Sequence, residues 1–189
     1  MPPRPLSLQD LLAHHAQGHA LWVFAYASLI WRPEFQAQEQ RPATVFGHHR
    51  ALKMWSRINR GTPERPGLVF ALLPGGSCQG QVHRMPPDEA PAALQRLWAR
   101  EMPTQTYTPR WLNARTPQGP VRALAFTLPK GHPQHTGPLN TQQVRDIFQH
   151  SRGRYGSTLA YARETLAGLR AVGIEDRALA RLLREHGHD

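Results

Sequence analysis

The sequence predicts an α+β fold with a small mixed, barrel-like sheet, packed helices and a helical C-terminal part. Short strand-like segments follow one another closely in the first half, without the strand-helix alternation that a doubly wound sheet needs. Amphipathic helical patterns occupy the end of the chain. With 189 residues and 40% hydrophobic content, the chain can form one domain with a substantial core. We therefore expect a single domain over residues 1–189.

The first expected element is a short helix in an N-terminal extension, residues 1–20. Ser7 with Asp10 three residues later is typical of a helix N-cap, and leucines follow to form a short apolar face. No side chain here points to chemistry, so we interpret this helix as a packing element.

The apolar run at residues 21–31 is the segment around which we expect the fold to be organised. It begins as a fully buried strand and then places Tyr26 and Ser28 among small residues. Small side chains let a ligand approach the main chain closely, so the end of this strand is a candidate binding loop. The alternative is that the two hydroxyls only satisfy each other or the backbone.

More strands are expected through the rest of the first half. Residues 43–55 have strand composition, and residues 68–73 follow the turn-rich stretch 60–67. Pro74-Gly75-Gly76-Ser77 predicts a tight turn, with residues 79–84 as the returning strand of a hairpin.

A helix that starts near Asp88, its expected N-cap, carries the candidate for acid–base chemistry. Leu94 and Leu97 mark its apolar face, Glu101 lies at the same helical spacing, and Pro103 ends the helix. A carboxylate there is partly desolvated and lies near the negative end of the helix dipole, and both effects raise its pKa. Glu101 is therefore a candidate general base.

Two structural alternatives stay open for Glu101. It could form a salt bridge with Arg100, Arg110 or another arginine, or the helix end could fray into solvent. Tyr107, which follows closely, could belong to a site or to the core.

The remaining elements are two strands and three helices. The strands are expected at residues 109–114 and 121–128. The helices fall in the C-terminal region 140–189, and we expect them at residues 141–151, 157–172 and 175–185.

Composition and motifs limit the classes of partner. The net charge of +10 favours anionic partners, whether nucleic acid or a small acidic metabolite. The single cysteine, Cys78, excludes an intrachain disulfide, and the histidines, including His186 and His188, lack ligand spacing for a metal. The longest apolar stretch is too short to span a bilayer, and no signal-peptide segment is visible. We expect a cytoplasmic protein without a metal site or a membrane span.

Five groups of motifs occur in one order through residues 21–185. They are residues 23–31, His49-Arg50, Arg60-Gly61-Thr62-Pro63 with Pro66-Gly67, residues 97–102 with Tyr107, and Gly156-Ser157-Thr158 with Tyr161 before Gly173-Ile174. Taken together, they resemble the ChaC-like, glutathione-specific gamma-glutamylcyclotransferases.

The resemblance implies a gamma-glutamylcyclotransferase-like fold and a lyase-type enzyme that cleaves glutathione to 5-oxoproline and cysteinylglycine. It implies Glu101 as the catalytic general base and acid, with no metal or cofactor. Glutathione is then the small-molecule partner, without specific nucleic acid or membrane, and the protein is a monomer or homodimer. The substrate-binding residues that the resemblance implies are Tyr26, Ala27, Ser28, Leu29, Arg60, Tyr107 and Tyr161.

Several positions depart from the family pattern. Ala25 and Ala27 stand where the family loop usually has glycine, and alanine lacks glycine's access to positive φ. Gln105 and Thr106 stand where members often carry glycine, and His83 where many carry tyrosine. These departures motivate an alternative: a catalytically weakened member that binds gamma-glutamyl compounds or anionic partners such as nucleic acid. Against nucleic acid, the sequence lacks the aromatic-basic interleaving that binds single strands.

Overall fold

The structure is a computed structural model that describes residues 4–187. The first three and the last two residues, among them His188, lie outside the described part. The chain divides into two compact units, Met1–His49 with Leu72–Pro129 and Arg50–Ala71 with Lys130–Asp189. The expectation of a single domain stays a prediction.

Helices and strands alternate irregularly along the chain, which confirms the α+β class. The helices are α1 Leu8–Ala16, α2 Ser28–Trp31, α3 Ala90–Glu101, α4 Thr141–His150, α5 Thr158–Ala171 and α6 Arg177–His186. The strands are β1 Trp22–Ala25, β2 Glu39–Ser56, β3 Gly67–Arg84, β4 Thr108–Thr116, β5 Gly119–Thr127, β6 Arg152–Gly153 and β7 Gly156–Ser157. Between residues 4 and 187, no helix is both long enough and apolar enough to cross a membrane.

Five strands form a closed barrel in the order β1-β3-β2-β4-β5, with a further pairing between β3 and β5. β1 is antiparallel to β3 and parallel to β5, so that Trp22 lies opposite both Arg84 and Ala123. All four residues of β1 are buried. The predicted barrel-like sheet with a buried central strand is therefore confirmed.

The hairpin predicted at residues 74–77 is wrong. β3 continues through this stretch as one strand of 18 residues. Gly75 and Gly76 have φ values of 97° and 72°, and the Gly75 carbonyl contacts Nδ1 of His49 at 2.9 Å. Positive-φ glycines let a strand bulge and bend without reversing. The two glycines therefore curve the strand instead of turning the chain back.

The start of α3 also differs from the sequence expectation. Asp88 is not the N-cap, because it lies in a separate 3-10 turn, Pro87–Glu89, and the N-cap Glu89 makes no side-chain capping bond. Pro91 in the first turn is compatible with the helix because no intrahelical N–H bond is lost there. The predicted cap at Ser7 is confirmed, with the Asp10 N–H donating to Ser7 Oγ at 3.1 Å.

The core of the first unit lies between its helices and its strands. Leu11 of α1 and Leu97 of α3 are fully buried against one cluster, which also contains Val23 and Ala25 of β1 and Phe126 of β5. Leu94 belongs to the same cluster. The apolar stripe that the sequence showed on α3 thus packs onto the strand that leads into the candidate binding loop.

The second unit contains the three C-terminal helices and the small hairpin of β6 and β7, which the sequence did not predict. Thr158, at the start of α5, accepts the Leu68 N–H at 2.9 Å and donates to the Arg60 carbonyl at 3.3 Å. A Cβ at Gly67 would collide with that same carbonyl. Glycine is therefore needed at position 67 because two backbones approach each other closely.

Candidate active site

The candidate binding loop begins where β1 ends at Ala25 and leads directly into α2. Ala27 is the residue before α2, with φ −146° and ψ −117°, and its carbonyl accepts the Ile30 N–H at 2.9 Å. Among the described non-glycine residues, positive φ occurs at Gln105 and not in this loop. Ala25 and Ala27 therefore occupy this backbone without the positive φ that would call for glycine.

Two predicted site tyrosines meet at Phe126 of β5. The buried Tyr26 donates its hydroxyl to the Phe126 carbonyl at 3.2 Å. The ring of Tyr107 contacts the Phe126 ring edge to face, with centroids 6.4 Å apart. The Tyr26 hydroxyl thus bonds to the backbone of β5.

Glu101 is the last residue of α3, and its side chain is only 14% exposed. Its Oε1 lies 3.2 Å from Nε of Arg100, so the ion pair left open by the sequence is formed. Burial raises the pKa of Glu101, the nearby Arg100 charge lowers it, the Glu34 carboxylate raises it, and the net direction is upward. The carboxyl is therefore ion-paired and has a raised pKa, and a raised pKa makes a carboxylate a better proton acceptor.

Arg100 connects α3 to the binding loop, a role that the sequence did not reveal. One terminal nitrogen donates to Glu34 Oε1 and to the Arg32 carbonyl, each at 2.6 Å, and the other donates to Ser28 Oγ at 2.7 Å. Glu34 lies in a stretch that the sequence predicted only as a loop, where no periodicity indicates which way a side chain points. Ser28 and Glu101, both predicted site residues, are thus joined through one guanidinium.

Arg60 and Tyr161 lie together in the second unit. The buried guanidinium of Arg60 lies 4.8 Å from the centroid of the Tyr161 ring and donates to the Tyr155 carbonyl at 2.6 Å. The Tyr161 hydroxyl accepts the Phe70 N–H at 3.3 Å. These contacts hold α5 to the strand and loop segments of the same unit.

His83 is buried in β3 beside Gln81, with Nε2 3.1 Å from Oε1, and burial lowers its pKa to about 4. The imidazole is therefore neutral at physiological pH. Within residues 4–187, no group of three or more His, Cys, Asp or Glu residues is placed to hold a metal ion.

Curated proteins and solved structures resemble this chain over most of its length. The glutathione-specific gamma-glutamylcyclotransferase of Escherichia coli (strain K12) is 31% identical over 95% of this chain and 78% of its own length. That of Schizosaccharomyces pombe is 28% identical over 84% of this chain and 87% of its own length. A yeast gamma-glutamyl cyclotransferase specific to glutathione has a TM-score of 0.78 at 21% identity, with 89% of this chain and 96% of that chain covered. The last similarity supports the fold alone.

A family model agrees with these similarities. The model described as ChaC-like protein matches residues 21–187, from the strand that carries the binding loop to the end of α6. Because this match extends over most of the sequence, and the E. coli relative is 31% identical over 95% of it, the chain belongs to the ChaC-like protein family.

Proposed function

We propose that this protein cleaves glutathione to 5-oxoproline and cysteinylglycine, with Glu101 as the general base and acid. The observation that carries the proposal is the largely buried Glu101 carboxyl, whose pKa is raised and which is joined through Arg100 to the binding loop. Family membership and the activity in the names of the E. coli and S. pombe relatives support the same reaction.

The reaction is an intramolecular acyl transfer. The α-amine of the gamma-glutamyl group attacks its own γ-carbonyl carbon, a ring C–N bond forms, and the C–N bond to cysteine breaks. The amine is mostly protonated at neutral pH, so Glu101 accepts a proton to expose the lone pair. The same group then donates this proton to the leaving amine, and Glu101 ends the cycle in its starting state. The ring nitrogen loses its second proton to solvent as the lactam forms, and the released amine takes up a proton from solvent at neutral pH.

Holding the substrate curled is the second requirement. Good orientation of groups within one molecule can supply roughly 7 kcal/mol or more of the barrier reduction. We assign this role to the loop of Tyr26, Ala27, Ser28 and Leu29, which leads from the end of β1 into α2. Backbone N–H groups of such a loop can hold the substrate carboxylate or the developing oxyanion.

Further features of the proposal rest on the family resemblance and on the sequence. Tyr107, Arg60 and Tyr161 are proposed to contribute to substrate binding. The chain is proposed to act in the cytoplasm, as a monomer or homodimer, without a metal or cofactor. Its preference among gamma-glutamyl compounds is proposed to be for glutathione.

The test is turnover of reduced glutathione by the wild type and by Glu101→Gln, followed through 5-oxoproline and cysteinylglycine. We expect Glu101→Gln to fold normally and to lose roughly a hundredfold or more in turnover, the scale of a lost general base. Glu89→Gln is the matched control, because Glu89 is an exposed residue at the other end of α3. Near-wild-type turnover in folded Glu101→Gln would contradict the assignment. Ligand binding without turnover in the wild type would favour a catalytically weakened binder.

A further inference from the structure

The contacts around Arg100 extend beyond a simple ion pair with the proposed base. Adjacent residues on a helix point in directions about 100° apart, so Arg100 and Glu101 do not face each other by helix geometry alone. Arg100 reaches the carboxylate because its remaining donors are held by Ser28, the Arg32 carbonyl and Glu34. The position of the guanidinium beside Glu101 is thus set by the loop.

We propose that Arg100 and Glu34 are positioning residues that fix Glu101 relative to the binding loop and balance its charge. This inference rests on the proposed function of Glu101. Arg100 supplies a rigid planar fork that joins the end of α3 to Ser28 at the start of α2. Glu34 forms an ion pair with the same guanidinium, so that the positive charge of Arg100 is shared between Glu34 and Glu101.

The distances support a divided arginine charge. Arg100 lies 2.6 Å from Glu34 Oε1 and 3.2 Å from Glu101 Oε1, so its shorter contact is to the residue outside the proposed chemistry. An arginine paired with Glu101 alone would hold the carboxyl ionised and make it a poor proton acceptor. The second carboxylate partly offsets this effect, in agreement with the raised pKa of Glu101.

The elements around α3 carry further titratable groups, most of which have contacts of their own. On α1, Asp10 is paired with Arg4, and the ring of His14 lies against Trp111. Asp88 and Glu89 are exposed in the 3-10 turn at the far end of the helix. Tyr26, directly after β1, donates to the Phe126 carbonyl, and Tyr107 packs on the Phe126 ring. Among the described residues, the charges that move the pKa of Glu101 are those of Arg100 and Glu34.

The experiment measures kcat/KM for reduced glutathione against pH in Arg100→Met, Arg100→Lys and Glu34→Gln. The acidic limb of this profile, the fall in kcat/KM at low pH, reports the pKa of Glu101. Arg100→Met should move this limb up by about one pH unit, because the loss of a nearby positive charge raises that pKa. Glu34→Gln should move it down, because a like charge is lost and Arg100 is released toward Glu101. Arg100→Lys should keep the limb near its wild-type position but lower kcat, because lysine lacks the planar fork.

The matched control is Arg96→Met. Arg96 is on the same helix one turn earlier, and its Nε donates to the Glu34 carbonyl at 3.4 Å. Arg96 touches the same loop, but it is not among the charges that shift the pKa of Glu101. The acidic limb of Arg96→Met should therefore stay in place. A purely structural role of Arg100 would lower activity at every pH without moving the limb.

Opposite movements of the limb in Arg100→Met and Glu34→Gln support the proposal, and unmoved limbs in folded variants overturn it. If Arg100→Met does not fold, the downward shift in Glu34→Gln decides the question alone. The failure of the proposed function is recognised separately. If Glu101→Gln remains active, Glu101 is not the base, whereas an inactive Glu101→Gln with unmoved limbs in the other variants removes only the present inference.

Discussion

Burial and an arginine act on Glu101 in opposite directions, and burial prevails. The side chain is 14% exposed, and Arg100 Nε lies 3.2 Å from its Oε1. Yet the net pKa shift is upward, because burial outweighs the Arg100 charge and the Glu34 carboxylate adds to the effect of burial. A carboxyl in this state costs the folded protein stability when it is ionised.

The pH dependence of stability follows from this upward shift. A raised pKa means that stability from Glu101 is fully present below the ordinary Glu pKa of about 4.3 and is lost as the pH rises through the raised value. Glu101→Gln stays neutral at every pH, so the variant should gain stability relative to the wild type as the pH rises. Urea midpoints from acid to neutral pH measure this trend, and Glu89→Gln should show none. If the stability of Glu101→Gln relative to the wild type instead falls with rising pH, the Arg100 ion pair outweighs burial.

Ala27 gives the second prediction at this scale. Its φ of −146° is negative, so glycine offers no relief from a left-handed conformation. We expect Ala27→Gly to change catalytic efficiency by less than about tenfold, as measured by steady-state kinetics on reduced glutathione. Ala25→Gly is the companion variant within β1. A rise of tenfold or more in Ala27→Gly would show that its methyl group or backbone hinders the reaction.

The residues of the site differ in how far the sequence could predict them. The buried position of Glu101 follows from its spacing to Leu94 and Leu97, which report one face of a helix. The roles of Arg100 and Glu34 depend on how an irregular segment folds back onto the end of α3. Such tertiary contacts leave no periodic signal, so the sequence offered the Arg100 pair only as one alternative.

At the scale of elements, the helices were more predictable than the path of the strands. α4, α5 and α6 begin and end within two residues of the expected positions. The hairpin at residues 74–77 was wrong because Pro-Gly-Gly has the same local signature in a turn and in a bulge. The choice depends on the partner strand: β2, also 18 residues long, keeps β3 extended.

The segment after α3 contains a strained position. Gln105 has φ 51°, a left-handed conformation that costs a residue with a side chain roughly 1 to 2 kcal/mol. Gln105→Gly should therefore raise the free energy of unfolding by up to about 1 kcal/mol, after the added flexibility of the unfolded chain is counted. The control Gln95→Gly, at an exposed position inside α3, should lower it by about 1 kcal/mol. Denaturant unfolding measures both, and a loss in Gln105→Gly would contradict the strain argument.

At the scale of the whole molecule, the chain has a large excess of positive charge. The net charge is +10, and residues 102–145 contain no aspartate or glutamate. Two arginines of this region stack on aromatic rings, Arg115 on Phe46 at 4.9 Å and Arg122 on Trp111 at 5.2 Å. The sequence showed neither pair, because the two members of each pair come from different strands. These arginines lie against rings of the same chain.

We expect any association with nucleic acid to be driven by this charge. Binding to single-stranded oligonucleotides should weaken steeply with added salt and show no sequence preference. Titrations of two unrelated sequences at several salt concentrations measure both properties. Arg115→Gln should weaken binding to the two sequences equally. Salt-resistant binding that distinguishes the sequences would instead favour the nucleic-acid-binding alternative.

The pairing of β1 has a consequence for the order in which the chain acquires its structure. Trp22 pairs with Arg84 on one side and with Ala123 on the other, both far along the chain. Contacts between distant segments form slowly, because the intervening chain must first lose its freedom. During synthesis, β1 can therefore pair with both neighbours only after β5 has left the ribosome. In a nascent chain that stops short of β5, the strand that leads into the loop at Tyr26 lacks one of its two neighbours, so the proposed substrate site forms late.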